Sequence, residues 1–121
     1  MNPRRRSRRT PWLLERFDID CWLLLVTASD VDDSRLAAAL HLLTKTGTTR
    51  AILDVRAVPR GARRARRLLA SLRPRPLVCA IIARERYGVE TLGLTEIAYV
   101  TSLREARRLV APPPASPDGW E

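Results

Sequence analysis

Leu77-Val78-Cys79-Ala80-Ile81-Ile82-Ala83 is an apolar run set between Pro76 and Arg84. It falls far short of the roughly 20 residues that a membrane-spanning helix needs. It also lacks the alternation of a strand with one wet face, so it reads as a strand buried on both sides. Such a strand requires a covering layer above and below. Helices packed on a mostly parallel sheet supply both layers, and the fold class expected is therefore α/β.

Working back toward the N-terminus, Pro74 and Pro76 end a helix predicted over 61–73, with Ala65, Leu68 and Leu72 on its inward stripe. Arg63, Arg66, Arg67 and Ala70 fall opposite, which makes the outward face strongly positive. Pro59 and Gly61 separate that helix from a strand over Ala51-Ile52-Leu53-Asp54-Val55. A further helix precedes it, with Leu36, Leu40 and Leu43 on one stripe. Asp30, Asp32, Asp33 and Ser34 supply its starting side chains, and Gly47 is the left-handed stop. Cys21 to Ala28 is a second buried strand, and the alternation of Phe17-Asp18-Ile19-Asp20 ahead of it suggests a hairpin.

Toward the C-terminus the spacing predicts a short third helix over 84–92, weakened by Gly88, then a strand over Ile97 to Val100. Ser102-Leu103-Arg104-Glu105 is a capping box opening a last helix, with Leu103, Ala106, Leu109 and Val110 as its apolar positions. The architecture expected is one domain with a five-stranded, mostly parallel sheet, an N-terminal antiparallel hairpin and four helices.

The chain has 121 residues, enough for one core. Residues 1–11 read as an Arg-rich arm, 12–111 as the domain, and 112–121 as a Pro-rich tail. Trp22 belongs to the core or its lid. Trp12 and Trp120 are read as tail residues that either fold back on the domain or await a partner. Cys21 and Cys79 lie in apolar runs and are expected as buried free thiols, not a disulfide. Ser7-Arg8-Arg9 before Trp12-Leu13-Leu14 faintly resembles a twin-arginine export signal. Glu15, Arg16, Asp18 and Asp20 interrupt the apolar stretch such a signal needs, and the expected location is cytoplasmic, with no membrane partner.

The net charge is +9. Arg4, Arg5, Arg6, Arg8 and Arg9 contribute five of those charges, and Lys45 is the only lysine. So strong an arginine bias reflects GC-rich coding as well as any selection for charge. Little in the sequence favours catalysis or a cofactor. His41 is the only histidine and falls away from the apolar stripe of its helix. No nucleophile turn or phosphate-cradling glycine loop is recognisable, and Cys21, Cys79 and His41 lack metal-ligand spacing. Helix capping accounts for Asp30, Asp32 and Asp33 without a cation.

Several strings, in this order, resemble the STAS domain, the fold of bacterial anti-sigma-factor antagonists and of the cytoplasmic tails of sulphate transporters. They are the stretch from Leu24 to Asp32, the stretch from Arg50 to Val58, and above all Thr91-Leu92-Gly93-Leu94 through Ser102-Leu103-Arg104-Glu105-Ala106. The resemblance runs from about Arg16 to Val110, nearly all of the expected domain. The resemblance implies a non-catalytic module for protein–protein interaction in transcription regulation, binding a regulatory kinase or anti-sigma-like partner. It has one departure. The antagonists carry a phosphorylatable Ser or Thr in an Asp-Ser-x-Gly motif at the start of the second helix, whereas this chain has Val58-Pro59-Arg60-Gly61-Ala62, with Arg60 near the place of the hydroxyl. The usual switch is absent.

The partner surface expected is therefore the loop 29–33 with Ser29, Asp30 and Asp32, and the second helix with Arg60, Gly61, Arg63, Arg64 and Arg67. Reversing Arg63, Arg64 and Arg67 to Glu is expected to abolish the contact without unfolding the domain. The alternative is a nucleic-acid-associated basic protein using Arg4, Arg5, Arg6, Arg8 and Arg9 together with helix 61–73. The bland reading of those arginines is a solvated helix face. The oligomeric state is open.

Overall fold

The computed structural model describes residues 10–84 and 88–111, so the arginines of the arm and Trp120 lie outside the described residues. Described in chain order are β1 (Trp12–Asp18), β2 (Cys21–Val26), α1 (Asp33–Lys45), β3 (Arg50–Asp54), α2 (Gly61–Leu69), β4 (Val78–Ile82), β5 (Gly88–Leu92), β6 (Thr95–Val100) and α3 (Leu103–Val110). The strands form one sheet in the order β1-β2-β3-β4-β6-β5. The neighbours from β2 to β6 run parallel, while β1 and β5 close the two edges antiparallel.

Strand β4 occupies the middle of this sheet, as its missing alternation requires, and Cys79, Ala80, Ile81 and Ile82 have no exposed surface. On one face α1 and α2 press Leu36, Leu40, Leu43, Ala65 and Leu69 onto Leu24, Leu53, Cys79, Ile81 and Ile97. On the other, α3 sets Ala106 and Val110 against Ile52, Ala80, Ile82 and Val100. Each large aliphatic side chain buried this way contributes about 1.5–3 kcal/mol. Helix α1 starts at Asp32, whose carboxylate accepts the Arg35 N–H at 2.8 Å, and the chain leaves its end through Gly47 at φ 72°. Helix α3 opens on the expected cap, Ser102 Oγ accepting from the Glu105 N–H at 3.1 Å.

Three expectations are corrected. The predicted third helix over 84–92 is overturned by Gly88–Leu92, a strand paired with β6; residues 85–87 lie outside the described residues, which hold six strands and three helices. Leu92 faces Thr95 across a two-residue turn in which Gly93, at φ 63°, provides the positive φ that a hairpin of this length needs. In β5 exposure alternates, with Glu90 and Leu92 half-buried and Val89 and Thr91 exposed, although the residues themselves do not alternate apolar with polar.

The second correction concerns α2, which ends at Leu69, with Ala62, Ala65 and Leu69 buried and Leu68 and Leu72 at the margin. The inward stripe is thus turned from the one expected. Third, Trp12 is no tail residue: it begins β1 and packs against the larger core cluster. Both cysteines are buried and free, and no helix among the described residues is long and apolar enough to cross a membrane.

Candidate recognition site at the carboxyl ends of the strands

In a parallel sheet the connections after each strand gather at the carboxyl ends, which is where α/β folds place their ligand crevices. Here that end carries the segment 27–32 after β2, the segment 55–60 after β3, and Ala83-Arg84 after β4. The first segment is anchored at its start by Pro11, whose carbonyl accepts the Thr27 N–H at 2.7 Å. Its far end is tied to α2. Arg64 Nε donates to Asp33 Oδ1 at 2.8 Å and Arg64 Nη2 to the Val31 carbonyl at 2.6 Å, while Arg67 Nη2 reaches Asp33 Oδ2 at 2.6 Å.

That clamp sorts the expected site residues. Arg64 and Arg67, expected to face a partner, instead hold Asp33, and the Arg64 guanidinium holds its carboxyl below the usual carboxylate range. A reversal that includes Arg64 and Arg67 therefore also breaks this tertiary connection. Ser29 and Asp30 are exposed on the tethered loop, and Asp32 is exposed while capping α1. Arg60 and Arg63 are exposed and make no ion pair among the described residues. Arg66 is committed too, its guanidinium 3.3 Å from Glu90 Oε1. Glu90 also accepts a hydrogen bond from the Tyr99 hydroxyl, and that bond, with Arg66 second, pulls its carboxyl below the usual range.

Arg60 and Gly61 form the bend into α2. Arg60 sits in the left-handed region at φ 54°, the only described non-glycine residue with positive φ, and no side chain caps the helix start. Gly61 lies so close to the end of β3 that an added Cβ would stand 2.4 Å from the Val55 carbonyl oxygen. Its glycine is required by proximity, and the backbone of α2 begins directly on β3 as a result.

Beside this bend lies a cavity of about 390 Å³ lined by Val55, Val58, Ala62 and Ala83, with Arg60, Arg63 and Arg84 among its walls. Arg84 is steadied by its Nε donating to the Arg56 carbonyl at 2.9 Å. Arg56 in turn pairs with the buried Asp54 at 2.7 Å, so its charge already has a carboxylate partner. Sequence reasoning missed Asp33 as the connector and Arg84, Val55, Val58 and Ala83 as cavity residues. The signal for the last four was their position at or just past the ends of two strands expected to run parallel; helix capping alone accounts for Asp33 in the sequence.

Among the described residues no group of His, Cys, Asp or Glu side chains is arranged to hold a metal ion. His41 is exposed on α1. Comparison with protein-family models, with curated proteins and with solved structures found no match.

Proposed function

We propose that the chain is a non-catalytic interaction module, similar to an anti-sigma-factor antagonist without its phosphorylation switch, and that it docks a regulatory protein at the carboxyl end of its parallel strands. The observation that carries this reading is the Asp33 clamp: through Arg64, Arg67 and the Val31 carbonyl it joins the loop bearing Ser29 and Asp30 to the helix bearing Arg60 and Arg63. One end of the domain thereby presents two acceptor side chains and two uncommitted guanidinium groups on a braced frame. A braced surface loses less conformational freedom on binding, which favours specific recognition. The position of Arg60 at the cap of the helix after β3, where the antagonists carry their hydroxyl, supports the same end as the contact.

The test is the double reversal Arg60→Glu and Arg63→Glu, which leaves the Asp33 clamp intact. The partner is first identified by affinity capture with the full chain, then produced and titrated. The double variant is expected to keep the wild-type melting temperature and lose partner affinity at least tenfold. Unchanged affinity would overturn the reading. Deleting residues 1–10 provides the second arm, since a nucleic-acid binder relying on the arginine arm loses affinity and salt dependence while a protein contact at the strand ends persists.

A further inference from the structure

We propose that the cavity beside the bend into α2 binds a phosphate monoester, with the phosphoryl group held by Arg60, Arg63 and Arg84 and the ester substituent resting on Val55, Val58, Ala62 and Ala83. The inference deepens the docking reading by naming the charged group recognised, and it shares Arg60 and Arg63 with it.

The first support is the distribution of charge partners. Arg56, Arg64, Arg66 and Arg67 each hold a carboxylate, whereas Arg60, Arg63 and Arg84 hold none among the described residues. These three line one cavity. Like charges lining one cavity with an apolar floor repel, and a dianion bound among them turns that repulsion into attraction. A guanidinium fork matches phosphate oxygens two at a time, which a carboxylate monoanion exploits less fully against three cations.

Independent of charge is the backbone at Arg60. A side-chain-bearing residue is disfavoured at φ 54°, and a glycine there would make the same bend at no steric cost. The chain instead places arginine in the strained position and glycine at the next, where proximity demands it. Strain kept at a cavity wall points to use of the side chain. The cavity, at about 390 Å³, also exceeds what a bare phosphate fills and lies in the range of sites for small organic ligands.

The experiment follows the backbone amides of the ¹⁵N-labelled full chain by NMR during titration with phenyl phosphate at constant ionic strength. Saturable shifts are expected at Gly61, Ala62, Ala83 and Arg84, with affinity at least tenfold above that for phenylacetate and above that for inorganic phosphate. Arg60→Gly should lose affinity at least tenfold with no fall in melting temperature, and Arg63→Gln should weaken binding as a second check. Adenosine monophosphate and a phosphoserine pentapeptide then distinguish the sources: the tighter of the two identifies a nucleotide or a modified protein side chain.

Four outcomes overturn the proposal: no saturable shift at those amides, an equal response to sodium chloride, unchanged affinity in Arg60→Gly, or an ester affinity no better than that of inorganic phosphate. Loss of the phosphate site with partner binding intact would remove this inference alone. Phosphate binding with a partner indifferent to the Arg60→Glu, Arg63→Glu reversal would remove the docking reading alone.

Discussion

Replacing Gly61 by alanine tests whether the position of α2 is set by contact with β3. The added Cβ would lie 2.4 Å from the Val55 carbonyl oxygen, 2.8 Å from Val55 Cβ and 3.0 Å from its Cγ2. Ordinary carbon contacts are about 3.5–4.0 Å, so the overlap is close to 1 Å. Val55 has no easy retreat, because its N–H donates to the Ile82 carbonyl at 3.0 Å and its carbonyl accepts from the Val58 N–H at 3.0 Å. Helix α2 must lift instead, loosening Ala62, Ala65 and Leu69 over the core. Overpacking of this kind costs about 1–3 kcal/mol, against which the better helix propensity of alanine returns at most about 1 kcal/mol. With a 2.4 Å approach placing the cost in the upper part of that range, the net loss is about 1–2 kcal/mol, which lowers Tm by roughly 4–8 °C per kcal/mol in a domain of this size. Thermal unfolding followed by circular dichroism reads it directly. A Tm equal to or above that of the wild type would refute the close approach, because Gly61 has no positive φ to excuse its glycine.

Asp33 and Glu90 both have carboxyls held below their ordinary range, so each binds a proton more readily in the unfolded chain. The stability they contribute is complete above the usual carboxylate range and is lost as pH falls through the depressed values, in the region below about pH 4. Urea midpoints measured from pH 7 to pH 3 should therefore fall in acid, and Asp33→Asn should flatten part of that fall; an identical pH profile in the variant would contradict the clamp. Burial pushes the Cys79 thiol up to about 12, and burial raises Cys21 as well. At pH 8 neither should react with Ellman's reagent until the fold is opened by guanidinium, and prompt labelling of native protein would contradict the burial. Ser102→Ala should cost about 1 kcal/mol through the lost cap of α3, read as a lowered urea midpoint at unchanged slope.

Much of the fold is legible in the sequence because each buried strand carries its own signature. Leu77 to Ala83 has no alternation, and Leu36, Leu40 and Leu43 share a stripe that needs no tertiary knowledge to see. The segment 84–92 is harder, since Val89-Glu90-Thr91-Leu92 does not alternate apolar with polar and only the Gly93-Leu94 turn after it signals a hairpin strand. The site is less legible for a different reason. Periodicity places Arg63, Arg66 and Arg67 on the outside of one helix but gives no information about Asp33, which is 31 residues from Arg64, or Glu90, which is 24 from Arg66. Those carboxylates decide which charges are used up inside the fold. Only Arg60 and Arg63 of the expected cationic surface remain uncommitted, a distinction that needs three dimensions.

The proposed docking face is the carboxyl end of the parallel strands. Amide shift mapping of the labelled full chain against its purified protein partner tests it most directly. Perturbations are predicted at Ser29, Asp30, Arg60 and Arg63, with Arg104 and Arg108 on α3 and the β1 edge unaffected. A map centred on α3 or on β1, with Arg60 and Arg63 unmoved, would contradict it.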